Sequence, residues 1–272
     1  MTARRRWAAV PVALVLIAAL AGPWLVAGSA TAPVGGPFEP AGGDRLLGTD
    51  VLGRDVSARV LTGGRALLLQ AVAATVLGST AGLVAGIWAG TTRRRRAAQA
   101  VLRSVDAIAA VPALLLLLLL ASGVPGNDAA VAVAIAVVST PFSVRVVRER
   151  TAVLAATDYA REAEARGDPL SARIRHDILP GLAPVALAEA GIRFVAATQL
   201  AATAGFLGLG AGAPAANWGR MVRENSTGLA ANPLPVLLPA ALLVLLAVGV
   251  TALLDRAAHG RVGDLARVGW SA

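Results

Sequence analysis

Glu189 and Arg193 stand four residues apart inside an otherwise apolar run. That spacing puts a carboxylate and a guanidinium on one face of a helix. Such a pair either neutralises itself within the helix or faces water along a transport pathway, and both readings remain open. A second charged set, Gly48-Thr49-Asp50-Val51-Leu52-Gly53-Arg54-Asp55, continues to Arg59. Its acids alone would suggest a loop for a divalent cation, but the interleaved Arg neutralise them. The better reading is a structural, Gly-hinged turn tied down by charge-assisted hydrogen bonds, bracing the start of the following helix. Other chemistries lack their residues. There is no Cys for a thiolate site, and His176 and His259 have no partner cluster and read as surface residues. All 25 basic residues are Arg, so a phosphate-cradling loop with its Lys is excluded. No nucleophile elbow or zinc-protease helix is present. The expectations are no enzyme, no metal and no cofactor, with energy supplied by a partner. An embedded enzyme built on Glu189, Arg193 or Asp106 would lack a second catalytic group.

The third set lies between two apolar stretches. Asp158 to Arg166 is rich in Ala, Glu and Arg, all good helix formers. Gly167 offers a left-handed cap, Asp168 an N-cap oxygen and Pro169 a first helical residue with no N–H to lose. A second short helix then carries Leu170, Ile174 and Ile178 on one face, and Leu179-Pro180 marks the turn back toward the membrane. A helix–hinge–helix knuckle with an apolar ridge is shaped to dock into a groove on another protein.

The elements that position these sets are apolar spans. Of 272 residues, 56% are hydrophobic and only 15% charged, which points away from a soluble domain. Six runs are long enough to cross about 30 Å of hydrocarbon: Trp7–Ala27, Ala66–Gly90, Ala100–Ser122, Ala129–Val147, Leu182–Ala204 and Pro233–Leu254. Each must be helical, because lipid offers the backbone no hydrogen-bond partner. Pro112 and Pro141 should kink or unwind theirs. The first run imitates a signal peptide but is longer than the usual core of about 7–15 residues, so an uncleaved helix is expected. Arg4–Arg6, Arg93–Arg96, Arg103, the group from Arg145 to Arg175 and the three C-terminal Arg fall on one side. Arg45, Arg54, Arg59, Arg65, Arg220 and Arg223 fall on the other, the first four beside Glu39, Asp44, Asp50 and Asp55. The positive-inside rule selects N-in and C-in. The net charge of +9 then reflects topological anchors rather than nucleic-acid binding. Three regions result: 1–65 with the first helix and an extracytoplasmic loop, a core at 66–254 holding a cytosolic loop at 148–181, and a tail at 255–272.

The knuckle resembles the Glu-Ala-Ala loop of permease subunits in bacterial ATP-binding-cassette importers. Glu162-Ala163, Gly167 and Leu179-Pro180 carry that resemblance, with Asp177 where the family places an Ile. The loop from Gly48 to Arg59 resembles a signature of dipeptide, oligopeptide and nickel permeases. Asp106 with Pro112, Arg145 with Arg148, Phe206-Leu207-Gly208-Leu209-Gly210 and Trp218-Gly219-Arg220-Met221 continue the likeness in order, with Trp218 placed to anchor at the headgroups. The closing motif is reduced to Leu254-Asp255-Arg256. The resemblance implies an all-α, MetI-like integral membrane fold in a bacterial inner membrane. It also implies ATPase coupling through Glu162, Ala163, Gly167, Leu170, Ile174, Ile178, Leu179 and Pro180. The implied partners are a second homologous permease, two ATPase subunits, an extracytoplasmic solute-binding protein and the lipid membrane. The implied cargo is a di- or oligopeptide, with nickel or another small solute as the alternative.

Overall fold

The computed structural model describes residues 9–26, 29–43 and 45–268. Arg4–Arg6, Trp7, Ala27 and Asp44, named above, lie outside them, as do the side chains from Leu254 onward, His259 included. The described chain is helical, with only isolated bridges such as Pro33 to Arg54 and Thr49 to Asp55 in the outer loop. The helices are α1 (Ala9–Leu25), α2 (Val56–Thr91), α3 (Arg95–Ala110), α4 (Ala113–Ser122), α5 (Asp128–Ala155), α6 (Asp158–Ala165), α7 (Leu170–Arg173), α8 (Leu179–Leu207), α9 (Trp218–Asn225) and α10 (Leu234–Val268).

Among the described residues, four helical stretches are long and apolar enough to cross a membrane: Val56–Thr91, Asp128–Ala155, Leu170–Leu207 and Leu234–Leu253. The expected span Ala100–Ser122 is not continuous. It breaks between α3 and α4 with a bend of 93°, because Val111 is extended and Pro112 cannot donate to the ladder. Pro141 does not break its helix; α5 runs through it. The first helix has 17 residues, the lower limit for a span. At 36 residues, α2 is about 54 Å long. It therefore outreaches the hydrocarbon and carries its first turns into the outer loop.

The core forms around α2 and α5, the most extensively packed pair. Gly78, Gly82, Gly86 and Gly90 repeat every four residues down α2, opposite Ala136, Ser143, Val147 and Thr151 of α5. A Cβ on Gly82 would lie 2.4 Å from that of Ser143, so glycine is what lets the backbones meet. Close backbone approach is how helices associate in lipid, where burying apolar side chains gains nothing over the acyl chains. Leu67, Leu117, Val131, Ile135, Ala197 and Ala201 fill the interior toward the outer side. A smaller cluster of Val147, Leu154, Ile178 and Leu182 closes the end nearest the segment 158–180.

Candidate functional site

The knuckle is built by local sequence. Ala160 and Ala163 bury one face of α6, and Gly167 takes φ +83°. The Gly167 N–H donates to Glu164 O at 3.0 Å and the Asp168 N–H to Ala163 O at 3.0 Å. This pair of bonds is a Schellman turn, in which a left-handed glycine satisfies the last helical carbonyls. Nothing lies within 4 Å of a Cβ placed on Gly167, so its requirement is conformational rather than steric.

Four expectations for the knuckle need correction. Pro169, not Asp168, occupies the N-cap of α7; the Asp168 carboxylate turns to Arg166 at 3.3 Å. The second half is not a plain α-helix, because Ile174–Ile178 is a π-helical turn in which the Leu179 N–H reaches Ile174 O. That wider turn makes room for Pro180, which has no N–H and would crowd the carbonyl four residues back. The chain therefore does not turn at Pro180: Leu170–Leu207 forms one span-length helical stretch. The ridge is also graded rather than free. Leu170 is 48% exposed, Ile174 half-buried, and Ile178 only 1% exposed between Val147, Leu154 and Leu182. Ile178 thus rivets the knuckle to α5 and has no surface to offer a partner.

Charges complete the fastening. Glu164 receives Arg173 at 2.8 Å and Arg93 from the turn between α2 and α3. The hydrogen bond from Arg93, with the nearby charge of Arg173, holds the Glu164 carboxyl below its usual range. Glu162 pairs with Arg166 at 3.2 Å, and both are open to solvent. The exposed tip is therefore Arg161, Glu162, Arg166, Gly167, Pro169 and Leu170.

On the opposite side, the loop residues converge on Asp50, which is fully buried. Its Oδ2 lies 2.7 Å from Arg54 Nε and 3.1 Å from Arg59 Nε, while Oδ1 accepts the N–H groups of Leu52 and Arg54 at 2.9 Å. Glu224 of α9 approaches the same guanidinium groups at 3.3 and 3.5 Å. Asp55 caps α2 through the Ser57 N–H at 2.9 Å, and Gly48 and Gly53 adopt φ +70° and +72°. Thr49 Oγ1 donates to Gly36 O at 2.6 Å. Among the described residues no acidic or His cluster could hold a metal ion. Trp218 is not a headgroup anchor. It is wholly buried against Gly64 of α2 and donates from Nε1 to Val60 O at 2.7 Å.

Within the membrane core, Arg193 Nε meets Glu189 Oε1 at 2.8 Å. Ser143 Oγ donates to the same oxygen at 3.3 Å, and the guanidinium lies 4.9 Å from the Phe142 ring centroid. Glu189 also borders a mainly apolar cavity of about 320 Å³ between α2, α5 and α8, beside Ser79 and Leu182. Sequence reading missed Glu224, Asn225 and Asn232 as partners of the outer loop. It also missed Arg93 as a brace of the knuckle. Glu224 carries the one signal that was there, as the only acid between the two last long apolar runs.

Residues 82–261 match the family described as binding-protein-dependent transport system inner membrane component. The dipeptide transport system permease of Alkalihalophilus pseudofirmus is 32% identical over 211 residues, covering 76% of this chain and 67% of that protein. An Escherichia coli K12 protein named "Probable D,D-dipeptide transport system permease protein" is 30% identical over 246 residues, covering 89% and 81%. Among solved structures, an inward-facing form of the MetNI methionine ABC transporter superposes with a TM-score of 0.62 at 20% identity. It covers 74% of this chain and 95% of that one. At that identity the likeness establishes the fold.

Proposed function

The chain belongs to the family of binding-protein-dependent transport system inner membrane components, and we propose that it is a peptide permease that ATPase subunits drive through its cytosolic knuckle. The family and the apolar helices make it a multi-pass inner-membrane protein. Its cargo is a di- or oligopeptide, the reading that the names of its relatives favour. It shares the translocation pathway with a second homologous permease. Two ATPase subunits bind below, and an extracytoplasmic binding protein delivers cargo above.

One observation carries this reading: the exposed knuckle tip is continuous with a membrane helix. Glu162, Gly167 and Leu170 present the surface an ATPase groove would hold, with Ile174 at its edge. Behind them, Leu170–Leu207 is a single stretch, fixed to α5 by Ile178 and Leu182. Displacement of the tip when the ATPase dimer closes is therefore delivered to α8 rather than absorbed in a loop. Rigid-body rocking of packed helices is the usual form of such a transition. Ala163, Leu179 and Pro180 belong to the same lever, Ala163 as a buried contact of α6 and the other two at the π-turn junction. The outer region 1–65 acts as a brace and 66–254 as the working core.

Reconstitution tests the proposal. The chain is placed in liposomes with the second permease, the ATPases and the binding protein of its own genome. ATP-dependent accumulation of a labelled dipeptide is expected, with none for nickel ions. Accumulation of nickel without peptide would refute the cargo, and transport that persisted when this chain was omitted would refute the permease role.

A further inference from the structure

Helix α3 is bent 93° from α4 and does not continue it in line. Two contacts fix its level against α5. A Cβ on Gly90, at the end of α2, would lie 2.8 Å from that of Thr151, and α3 begins soon after at Arg95. At its far end, Asp106 Oδ1 is 2.6 Å from Arg145 Nη2. Counted from Asp128, where α5 begins, Arg145 and Thr151 stand about 26 and 35 Å along that helix. With Asp128 at the outer edge of a hydrocarbon layer about 30 Å thick, these levels bracket its inner edge. That edge is the cytosolic one in the orientation the Arg distribution predicts. From Arg95 to Asp106 the helix covers about 17 Å while advancing only about 9 Å along α5, so it runs obliquely through the interface.

The surface of α3 divides into three arcs. Ala98 and Val105 are buried, with Val101 and Leu102 half-buried beside them, on the side that packs chiefly against α5. At about 100° per residue, Arg95, Arg96, Gln99 and Arg103 share a second arc, and all four are exposed. Ala100, Ser104, Ala107 and Ile108 form the third, also exposed and almost without polar groups. Arg94 precedes the basic arc in the turn. Among the described residues, Arg94, Arg95, Arg96 and Arg103 make no ion pair, whereas Arg93 is taken by Glu164.

We infer that α3 is an interfacial helix and that its outward surface binds anionic phospholipid. A basic arc beside an apolar arc, at the edge of the hydrocarbon, is the pattern of a helix lying in a membrane interface. The guanidinium groups of Arg94, Arg95, Arg96 and Arg103 donate to phosphate oxygens of the headgroups. Ala100, Ala107 and Ile108 meet the upper part of the acyl chains. Unpaired Arg at this level favours lipids of net negative charge over zwitterionic ones. An acidic protein surface would satisfy the guanidinium groups but leave the apolar arc without a partner.

The chain has no Cys, so Ser104→Cys gives a single site for a fluorescent label within the apolar arc. The labelled chain is assembled with its partner subunits in nanodiscs containing phosphatidylglycerol or phosphatidylcholine brominated on the acyl chains near the headgroup. Brominated phosphatidylglycerol should quench the label at a several-fold lower mole fraction than brominated phosphatidylcholine, and high salt should shrink the difference by screening. Arg94→Gln, Arg95→Gln, Arg96→Gln and Arg103→Gln together should abolish the preference, and the four Arg→Lys changes should keep it. Arg103→Gln alone should lower it in part, which tests the surface even where the fourfold variant fails to assemble. Equal quenching by the two lipids in the unaltered sequence, or a preference that survived the loss of all four charges, would overturn the inference. So would a label that neither lipid quenched in the complex but both quenched in the isolated chain, an outcome that would give this face to a partner subunit. None of these results bears on ATP-dependent peptide uptake, so the permease reading stands or falls separately.

Discussion

Asp50 is the residue on which the outer loop depends. It takes two guanidinium groups and two backbone N–H groups while fully buried. Removing one member of a buried charged set leaves the others uncompensated, at a cost of about 3–5 kcal/mol. Asp50→Ala should therefore lower the thermal midpoint of the purified, detergent-solubilised protein markedly. Asp55→Ala, which removes a single N-cap, should cost about 1 kcal/mol. If the two variants melted alike, the loop would not be organised around Asp50. The grouping of Asp50, Arg54 and Arg59 was legible in the sequence because those residues are close along the chain. Glu224 was not, because its contact with Arg59 closes a separation of 165 residues. Trp218 shows the same limit. An indole beside glycines reads equally as an interfacial anchor or a buried knob until the facing glycines, Gly63 and Gly64, are in place.

On the proposed reading, the knuckle transmits force and the α2–α5 pair resists it. Glu164 holds the knuckle to the turn after α2 through Arg93 and to α7 through Arg173. Its carboxyl is depressed below 4.5 in the folded chain. The associated stabilisation is therefore complete above pH ~4.5 and lost as pH falls through the lower folded value. Protection of the α6 and α7 amides against hydrogen exchange, taken relative to the intrinsic rate at each pH, should accordingly be greater at neutral pH than below that window. Glu164→Gln should show the lower protection at every pH. Arg93 cannot be regarded as one of four equivalent anchors, since it alone of Arg93–Arg96 makes an ion pair among the described residues. Arg93→Ala should weaken coupling, whereas the exposed Arg94 should tolerate the same change. Between α2 and α5, Gly82→Leu would drive a side chain into Ser143. Such overpacking costs about 1–3 kcal/mol or more, read as reduced recovery of folded protein from the membrane. The turn at Gly167 could be read in advance because every group that makes it is local. The burial of Ile178 could not, because Leu154 and Val147 reach it from another helix.

At the scale of the molecule, composition alone announced a helical membrane protein. Long apolar runs leave the backbone no other solution in lipid. What it did not announce was the 93° break at Val111-Pro112 or the continuity of the knuckle with α8. Both depend on how Pro is accommodated: by interruption at Pro112 and by a π-turn at Pro180. The Arg distribution predicts that both ends lie on the cytosolic side. Reporter fusions after Ala32 and Thr227 should signal from outside, and those after Arg96 and Asp168 from the cytosol. A cytosolic signal from the Gly48–Arg59 loop would overturn that orientation. The central claim is that the knuckle couples ATP hydrolysis to movement of the membrane helices. It is tested most directly by Gly167→Val in the reconstituted transporter, with binding-protein-stimulated ATP hydrolysis and dipeptide uptake measured in the same vesicles. A β-branched residue at φ +83° is strained by about 1–3 kcal/mol, enough to disorder the turn while the apolar spans stay inserted. The predicted result is membrane levels near those of the unaltered protein with stimulated hydrolysis and uptake both collapsed. Uptake and stimulated hydrolysis at the unaltered rate, at matched protein levels, would contradict it.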